Sequence, residues 1–86
     1  MLKIEHLGIA VRDAEEAIAL FTALLGAGPY KEEVVDREGV RTIFFGDGGT
    51  AGRAPKVELL AVTDPASPVA RFLDRRGPGL HHVAFR

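Results

Sequence analysis

Three side chains in this 86-residue sequence carry the donor groups that divalent metal ions prefer: His6, Glu58 and His82. Two imidazoles and one carboxylate suit a borderline ion such as Co²⁺, Ni²⁺, Mn²⁺, Fe²⁺ or Zn²⁺, and they leave coordination positions for water and substrate. Glu58 lies in the largely apolar run 56–60, where a buried carboxylate is costly unless it is paired or ligates a metal. The three residues form no local ligand motif, so only the fold can bring them together.

Each of these residues also has an ordinary structural explanation. A single histidine in a strand more often packs in the core or faces solvent than ligates a metal. Glu58 could face solvent or pair with Lys56, which lies two residues earlier on the same face of its strand. These alternatives stay open on the residue types alone.

The two histidines occur in the same local context, which strengthens the metal hypothesis. Residues 4–10 (Ile-Glu-His-Leu-Gly-Ile-Ala) and 80–86 (Leu-His-His-Val-Ala-Phe-Arg) align so that His6 matches His82. Such a repeat indicates one full supersecondary unit followed by the opening strand of a second unit. Because successive strand residues alternate between faces, His81 should point away from His82, and only His82 should join the site.

A helix after the first strand is the clearest local prediction. Asp13 followed by Glu16 has the form of a capping box, and Gly26 is typical of a left-handed residue that ends a helix. The apolar spacing predicts that the helix buries one stripe, made of Ala17, Leu20, Phe21 and Leu24.

The rest of the chain predicts a β-α-β-β-β order followed by a short helix and a last strand. Ser67 and Pro68 are typical of a helix start, and Gly77 should end that helix with Val69, Phe72 and Leu73 buried. Four glycines predict a loop over 46–55. The strands are predicted at 2–11, 30–35, 40–45, 56–62 and 79–86.

The composition excludes several classes of partner. A net charge of −1 gives no electrostatic basis for binding nucleic acid or an anionic membrane. The longest apolar run is far shorter than the roughly 20 residues that span a bilayer. The sequence contains no cysteine and its N-terminus does not resemble a signal peptide, so we predict a cytoplasmic protein.

Four segments together resemble the methylmalonyl-CoA epimerase family: residues 4–11, 57–60, 67–73 and 77–84. That family is part of the vicinal oxygen chelate superfamily, with glyoxalase I and ring-cleaving dioxygenases. The resemblance implies an α+β fold in which a βαβββ module curls around a metal and is followed by the first strand of a second module. We therefore expect residues 1–86 to form a single glyoxalase-like domain that is incomplete at its C-terminus.

The resemblance also implies a chemistry. It makes His6, Glu58 and His82 the metal ligands, with Co²⁺ favoured over Zn²⁺, Mn²⁺ or Ni²⁺, and an acyl-CoA thioester the substrate. Separately, the unpaired last strand indicates a truncated chain, a tail that is not included, or a homodimer that completes the sheet, and of these we carry the homodimer forward as an expectation. The implied reaction is epimerisation of methylmalonyl-CoA, by abstraction of the α-proton through a metal-stabilised enolate. The fourth ligand and the general base would lie beyond Arg86. Thr42 stands where some bacterial relatives carry a Glu, so no catalytic residue is assigned.

Two other functions remain open at this point. The chain could come from another enzyme of the superfamily, such as a glyoxalase I type lyase that acts on a glutathione hemithioacetal. It could also be a metal-free binding module of the bleomycin-resistance type. Arg53, Lys56 and Arg71 could meet the phosphates of CoA, although solvated surface charge is the commoner explanation for each.

Overall fold

A computed structural model describes residues 1–46 and 54–86, and in these residues every predicted helix and strand is present. The α+β fold class is thereby confirmed, and the predicted bounds agree with the observed ones to within two residues. The strands are β1 (Ile4–Val11), β2 (Lys31–Val35), β3 (Val40–Phe45), β4 (Lys56–Val62) and β5 (Gly79–Phe85); the helices are α1 (Ala14–Leu25) and α2 (Pro68–Arg76).

All five strands form one sheet in the order β2-β3-β4-β1-β5. Strand β1 runs parallel to β4 on one side and antiparallel to β5 on the other, and the remaining neighbours are antiparallel. The first strand therefore lies between the strand that carries Glu58 and the strand that carries His82. This order brings together three segments that are distant along the chain.

Helix α1 begins and ends where its capping residues predict. A side-chain oxygen of Asp13 accepts a hydrogen bond of 3.0 Å from the backbone N–H of Glu16. Gly26 follows the helix in the left-handed conformation, with φ of 79°, and its N–H donates to the carbonyl of Thr22. Both ends of the helix thus have partners for backbone groups that would otherwise lack them.

The predicted buried stripe of α1 is wrong for two of its four members. Ala17 is buried and Phe21 packs against the core, but Leu20 and Leu24 are 55% and 67% exposed. Ile18 packs against the core instead. The helix itself carries apolar residues on almost every side, so their spacing did not determine which face meets the sheet.

The opposite face of the sheet is partly covered by α2. The hydroxyl of Ser67 accepts a hydrogen bond of 3.1 Å from the N–H of Val69, so the predicted cap is confirmed. Val69 and Leu73 are buried against Ala10, Val40 and Leu60. Because α2 is only nine residues long, it covers one part of this face. The rest is a hollow lined by residues of β3, β4, β5 and α2, so we call this the concave face.

The loop predicted over 46–55 falls mostly on residues 47–53, which lie outside the described residues. Among the described residues, neither helix has the length and apolar character needed to cross a membrane.

Candidate metal centre

Strands β1, β4 and β5 bring the three predicted ligands to one place on the concave face. Gly8 of β1 is the pairing partner of Glu58 on one side and of His82 on the other, and His6 lies two residues before it. Gly8 leaves space for the imidazole of His82, since a Cβ atom at that position would lie within 2.5 Å of three of its ring atoms. The absence of a side chain at Gly8 therefore lets the three polar groups approach each other.

The three donor atoms form a small triangle. The Nε2 atoms of His6 and His82 are 3.0 Å apart, and Oε1 of Glu58 lies 3.6 Å from the first and 3.4 Å from the second. Donors held about 2.1 Å from one ion at angles of about 90–110° would be roughly 3.0–3.4 Å apart. The observed spacing and the donor types therefore fit a divalent ion.

The contact between the two imidazoles is compatible with a divalent ion and equally with a shared proton. Two ring nitrogens with bare lone pairs repel each other at 3.0 Å, so a proton or a cation must lie between them. The side chains of His6 and Glu58 are 23% and 15% exposed, which leaves a partly dry site where charge is incompletely screened. Such a site favours a cation shared by the three groups.

Burial influences the protonation of this site. Loss of solvent lowers the pKa of His82, while the nearby carboxylate of Glu58 acts in the opposite direction. The neutral imidazole, which is the form that ligates metals, is therefore favoured at His82.

The prediction that His81 points away from His82 is wrong, because a β-bulge interrupts the alternation of β5. Gly8 pairs with His82 and Ile9 pairs with Leu80, so His81 is an extra residue opposite β1. Its Nδ1 lies 2.9 Å from Nδ1 of His82, and its ring packs edge-on against Phe72.

A second bulge lies in β1 and involves Glu5, which the sequence analysis did not assign to the site. Ile4 pairs with Phe85 and His6 pairs with Ala84, so Glu5 has no partner of its own. Its Oε1 lies 3.3 Å from Nδ1 of His6. The alignment of the two strands contained a signal for this, because Glu5 occupies the position of His81.

Lys56 completes the surroundings of Glu5. Its Nζ lies 3.2 Å from Oε2 of Glu5, so the predicted alternative pairing of Lys56 with Glu58 is not the one observed. Hydrogen bonds from His6 and Lys56 lower the pKa of the Glu5 carboxyl, which keeps it ionised.

A cavity of about 460 Å³ extends from His82 and Glu58 across the concave face. Arg37 and Glu38 line it, together with apolar side chains of β3 and α2. Thr42 also lines the cavity, and its hydroxyl donates a hydrogen bond of 3.2 Å to the carbonyl of Glu33. This leaves no reason to assign Thr42 a role in proton transfer.

Comparison with known proteins identifies the family. The chain matches the profile of the Glyoxalase/Bleomycin resistance protein/Dioxygenase superfamily over residues 5–86. The uncharacterized protein YqjC of Bacillus subtilis (strain 168) is 35% identical over 85 residues, which cover 99% of this chain and 57% of that protein.

Two solved structures share the fold. Methylmalonyl-CoA epimerase from Mycobacterium tuberculosis matches with a TM-score of 0.83 at 37% identity, over 96% of this chain and 53% of that one. A variant of Streptomyces coelicolor methylmalonyl-CoA epimerase, in complex with 2-nitronate-propionyl-CoA, matches with a TM-score of 0.81 at 33% identity, over 96% of this chain and 60% of that one. The chain thus spans little more than half the length of these proteins. The match over residues 5–86 and the shared fold show that the chain belongs to the Glyoxalase/Bleomycin resistance protein/Dioxygenase superfamily.

Proposed function

We propose that the protein is a metal-dependent epimerase of an acyl-CoA thioester, with methylmalonyl-CoA as the preferred substrate. The observation that carries the proposal is the convergence of His6, Glu58 and His82 within 3.0–3.6 Å of each other beside a cavity. The similarity to methylmalonyl-CoA epimerases at 33–37% identity supports the choice of substrate.

In this proposal His6, Glu58 and His82 would hold the ion, beside the cavity that Glu58 and His82 line. A divalent ion supplies Lewis acidity that stabilises negative charge on the thioester oxygen when the α-proton is removed. Glu58 contributes one negative charge to the site, and the two imidazoles contribute none when they are neutral. The apolar residues of the cavity reduce the access of water to the acyl group. The general base is left unassigned.

Imidazole and carboxylate donors accept Co²⁺, Zn²⁺, Mn²⁺ and Ni²⁺. The proposal takes Co²⁺ as the first candidate and the other three ions as alternatives. Elemental analysis of protein purified without a chelator tests this part. The metal-free binding function predicts no bound divalent ion and no effect of a His6→Ala substitution on ligand binding.

A basic groove next to the cavity is our candidate for the phosphate groups of CoA. Arg71, Arg75 and Arg76 of α2 line a space of about 280 Å³ whose wall includes His81, a residue that also lines the main cavity. Guanidinium groups bind phosphate through paired hydrogen bonds. Of the other predicted candidates, Lys56 is engaged by a carboxylate of β1, and Arg53 lies outside the described residues.

Hydrogen exchange into the substrate is the decisive test of the reaction. We expect the Co²⁺-loaded protein in heavy water to incorporate deuterium at the α-carbon of one methylmalonyl-CoA epimer and to form the other epimer. A His82→Ala variant should lose this exchange, whereas Glu16→Ala, which removes an exposed carboxylate on α1, should retain it. No exchange by the metal-loaded protein would reject the proposal, and turnover of a glutathione hemithioacetal would favour the lyase.

We also propose a homodimer and a cytoplasmic location. Leu80 and Phe85 of β5 are 57% and 60% exposed, and no strand pairs with the outer side of β5 in the described part of the chain. Exposed edge strands of this kind promote pairing between chains. Light scattering of the purified protein tests the dimer; a monomer at all concentrations would reject it.

A further inference from the structure

The two histidines of the candidate metal centre each have a hydrogen-bonding partner that directly precedes them in the sequence. Glu5 contacts Nδ1 of His6, and His81 contacts Nδ1 of His82, at 3.3 Å and 2.9 Å. Both partners are bulged residues, and a bulge is what allows a side chain to turn toward its neighbour instead of to the opposite face. The same arrangement thus occurs once in each strand.

The Glu5 carboxylate determines where the protons of the imidazoles lie. An ionised carboxylate can only accept hydrogen bonds, so Nδ1 of His6 must carry a proton. A neutral imidazole has one N–H, which leaves Nε2 of His6 bare. Because Nε2 of His82 lies 3.0 Å from that atom, it has to donate. Nδ1 of His82 is then bare and accepts a hydrogen bond from Nδ1 of His81.

We propose that Glu5 is a positioning residue that holds His6 in its Nδ1–H tautomer and so presents a bare Nε2 to the metal centre. Lys56 supports it by binding the other carboxylate oxygen, at 3.2 Å. A group that accepts a hydrogen bond from the second ring nitrogen of a ligating histidine fixes the orientation of the ring and increases its basicity as a ligand. The inference rests on the proposed metal site but not on the identity of the substrate.

The two histidines differ in how they respond to an ion. His6 already has the tautomer that a metal needs. His82 has its proton on Nε2 in the metal-free protein, and this proton must move to Nδ1 before Nε2 can ligate. His81 must then become the acceptor, so its proton moves from Nδ1 to Nε2. The number of protons on the two rings is unchanged, and only the direction of the hydrogen bond between them is reversed.

NMR of protein with ¹⁵N-labelled histidine tests the proton positions, since protonated and bare ring nitrogens give well-separated signals. At a pH where the rings are neutral, we expect Nδ1–H for His6 and Nε2–H for His82 in the metal-free protein. Adding Zn²⁺ should leave the proton of His6 on Nδ1 and move the proton of His82 from Nε2 to Nδ1. A metal-free protein in which His6 carries its proton on Nε2 would overturn the inference.

Zn²⁺ affinity, measured by competition with a chelator, gives a second readout. We expect Glu5→Ala to weaken binding about 10–100-fold, the range found when such partners are removed. Glu5→Gln keeps a carbonyl acceptor, so it should preserve the His6 tautomer and bind more tightly than Glu5→Ala. Glu16→Ala removes the same charge from an exposed position and should bind like the wild type.

Equal Zn²⁺ affinity for Glu5→Ala and the wild type would overturn the inference. If Glu5→Ala does not fold, Glu5→Gln and the wild-type spectra still decide it. Neither readout requires CoA. A protein that shows these tautomers and affinities but no exchange of the substrate α-proton would reject the proposed epimerase function alone and leave the role of Glu5 standing.

Discussion

At a free concentration of 100 times its Kd, Zn²⁺ bound to the candidate metal centre should raise the melting temperature of the protein by about 15 °C. The three donors come from β1, β4 and β5, which adjoin each other only in the folded sheet. The unfolded chain does not hold His6, Glu58 and His82 together, so the ion binds the folded state preferentially. A ligand that binds only the folded state, at a free concentration of 100 times its Kd, adds about 2.7 kcal/mol to the free energy of unfolding.

The size of the temperature shift follows from the length of the chain. An unfolding entropy of about 2.1 cal/mol/K per residue gives about 180 cal/mol/K for 86 residues. Dividing 2.7 kcal/mol by this entropy gives a shift of about 15 °C. Circular dichroism melting curves, recorded with Zn²⁺ or with a chelator, measure the shift once the Kd has been determined by competition.

Variants separate this site from adventitious binding. At the same Zn²⁺ concentration, His6→Ala and Glu58→Ala should lose most of the shift, because each removes one of three protein ligands. Glu16→Ala should keep all of it, since its side chain lies on the exposed face of α1. A shift of equal size in the His6→Ala variant, or none in the wild type, would refute the assignment of the site.

Three further predictions concern stability and are checked by urea unfolding of the metal-free protein. Leu59 is completely buried in β4, so Leu59→Ala should lower the free energy of unfolding by about 2–5 kcal/mol. Arg41 pairs with Glu15 and Glu32 at the surface, so Arg41→Gln should cost less than about 1 kcal/mol and even less at high salt. Burial lowers the pKa of His82. The stability linked to this group is therefore complete above its ordinary pKa near 6.5 and is lost as the pH falls, and His82→Gln should reduce this acid sensitivity.

The ends of the helices could be predicted because each is decided by residues within one turn. Asp13 and Ser67 each accept a hydrogen bond from a backbone N–H two or three residues later, and Gly26 adopts a conformation that costs other residues more. None of these features depends on distant parts of the chain. The same local character explains why the predicted and observed bounds of the helices agree so closely.

The buried face of α1 could not be predicted because the helix is apolar on nearly every side. Both Leu20 and Ile18 are suitable for a core, and only the shape of the sheet beneath decides between them. The structure packs Ile18 and Phe21 against it and leaves Leu20 exposed. A pattern of residue types contains no information on that shape.

The positions of Glu5 and His81 were missed for a different reason. Alternation along a strand assumes that every residue has one partner, and a bulge adds a residue without one. Whether a bulge forms depends on the register between β1 and β5, which are separated by most of the chain. The prediction for His6, Glu58 and His82 did not depend on this detail, because it used residue types, the repeat and the resemblance to a known family.

The pairing of β1 with β5 explains why the repeat predicted the meeting of the two histidines. Leu7 and Val83 occupy equivalent positions in the aligned strands, and they are also direct partners in the sheet. Equivalent residues of antiparallel strands can be partners only beside a local twofold axis. His6 precedes Leu7 by one residue, and His82 precedes Val83 by one residue. The axis therefore relates the two histidines and directs their side chains toward each other from opposite sides. Their Nε2 atoms therefore approach to 3.0 Å near the axis, and Glu58 of the adjacent strand supplies the charge that a shared cation requires.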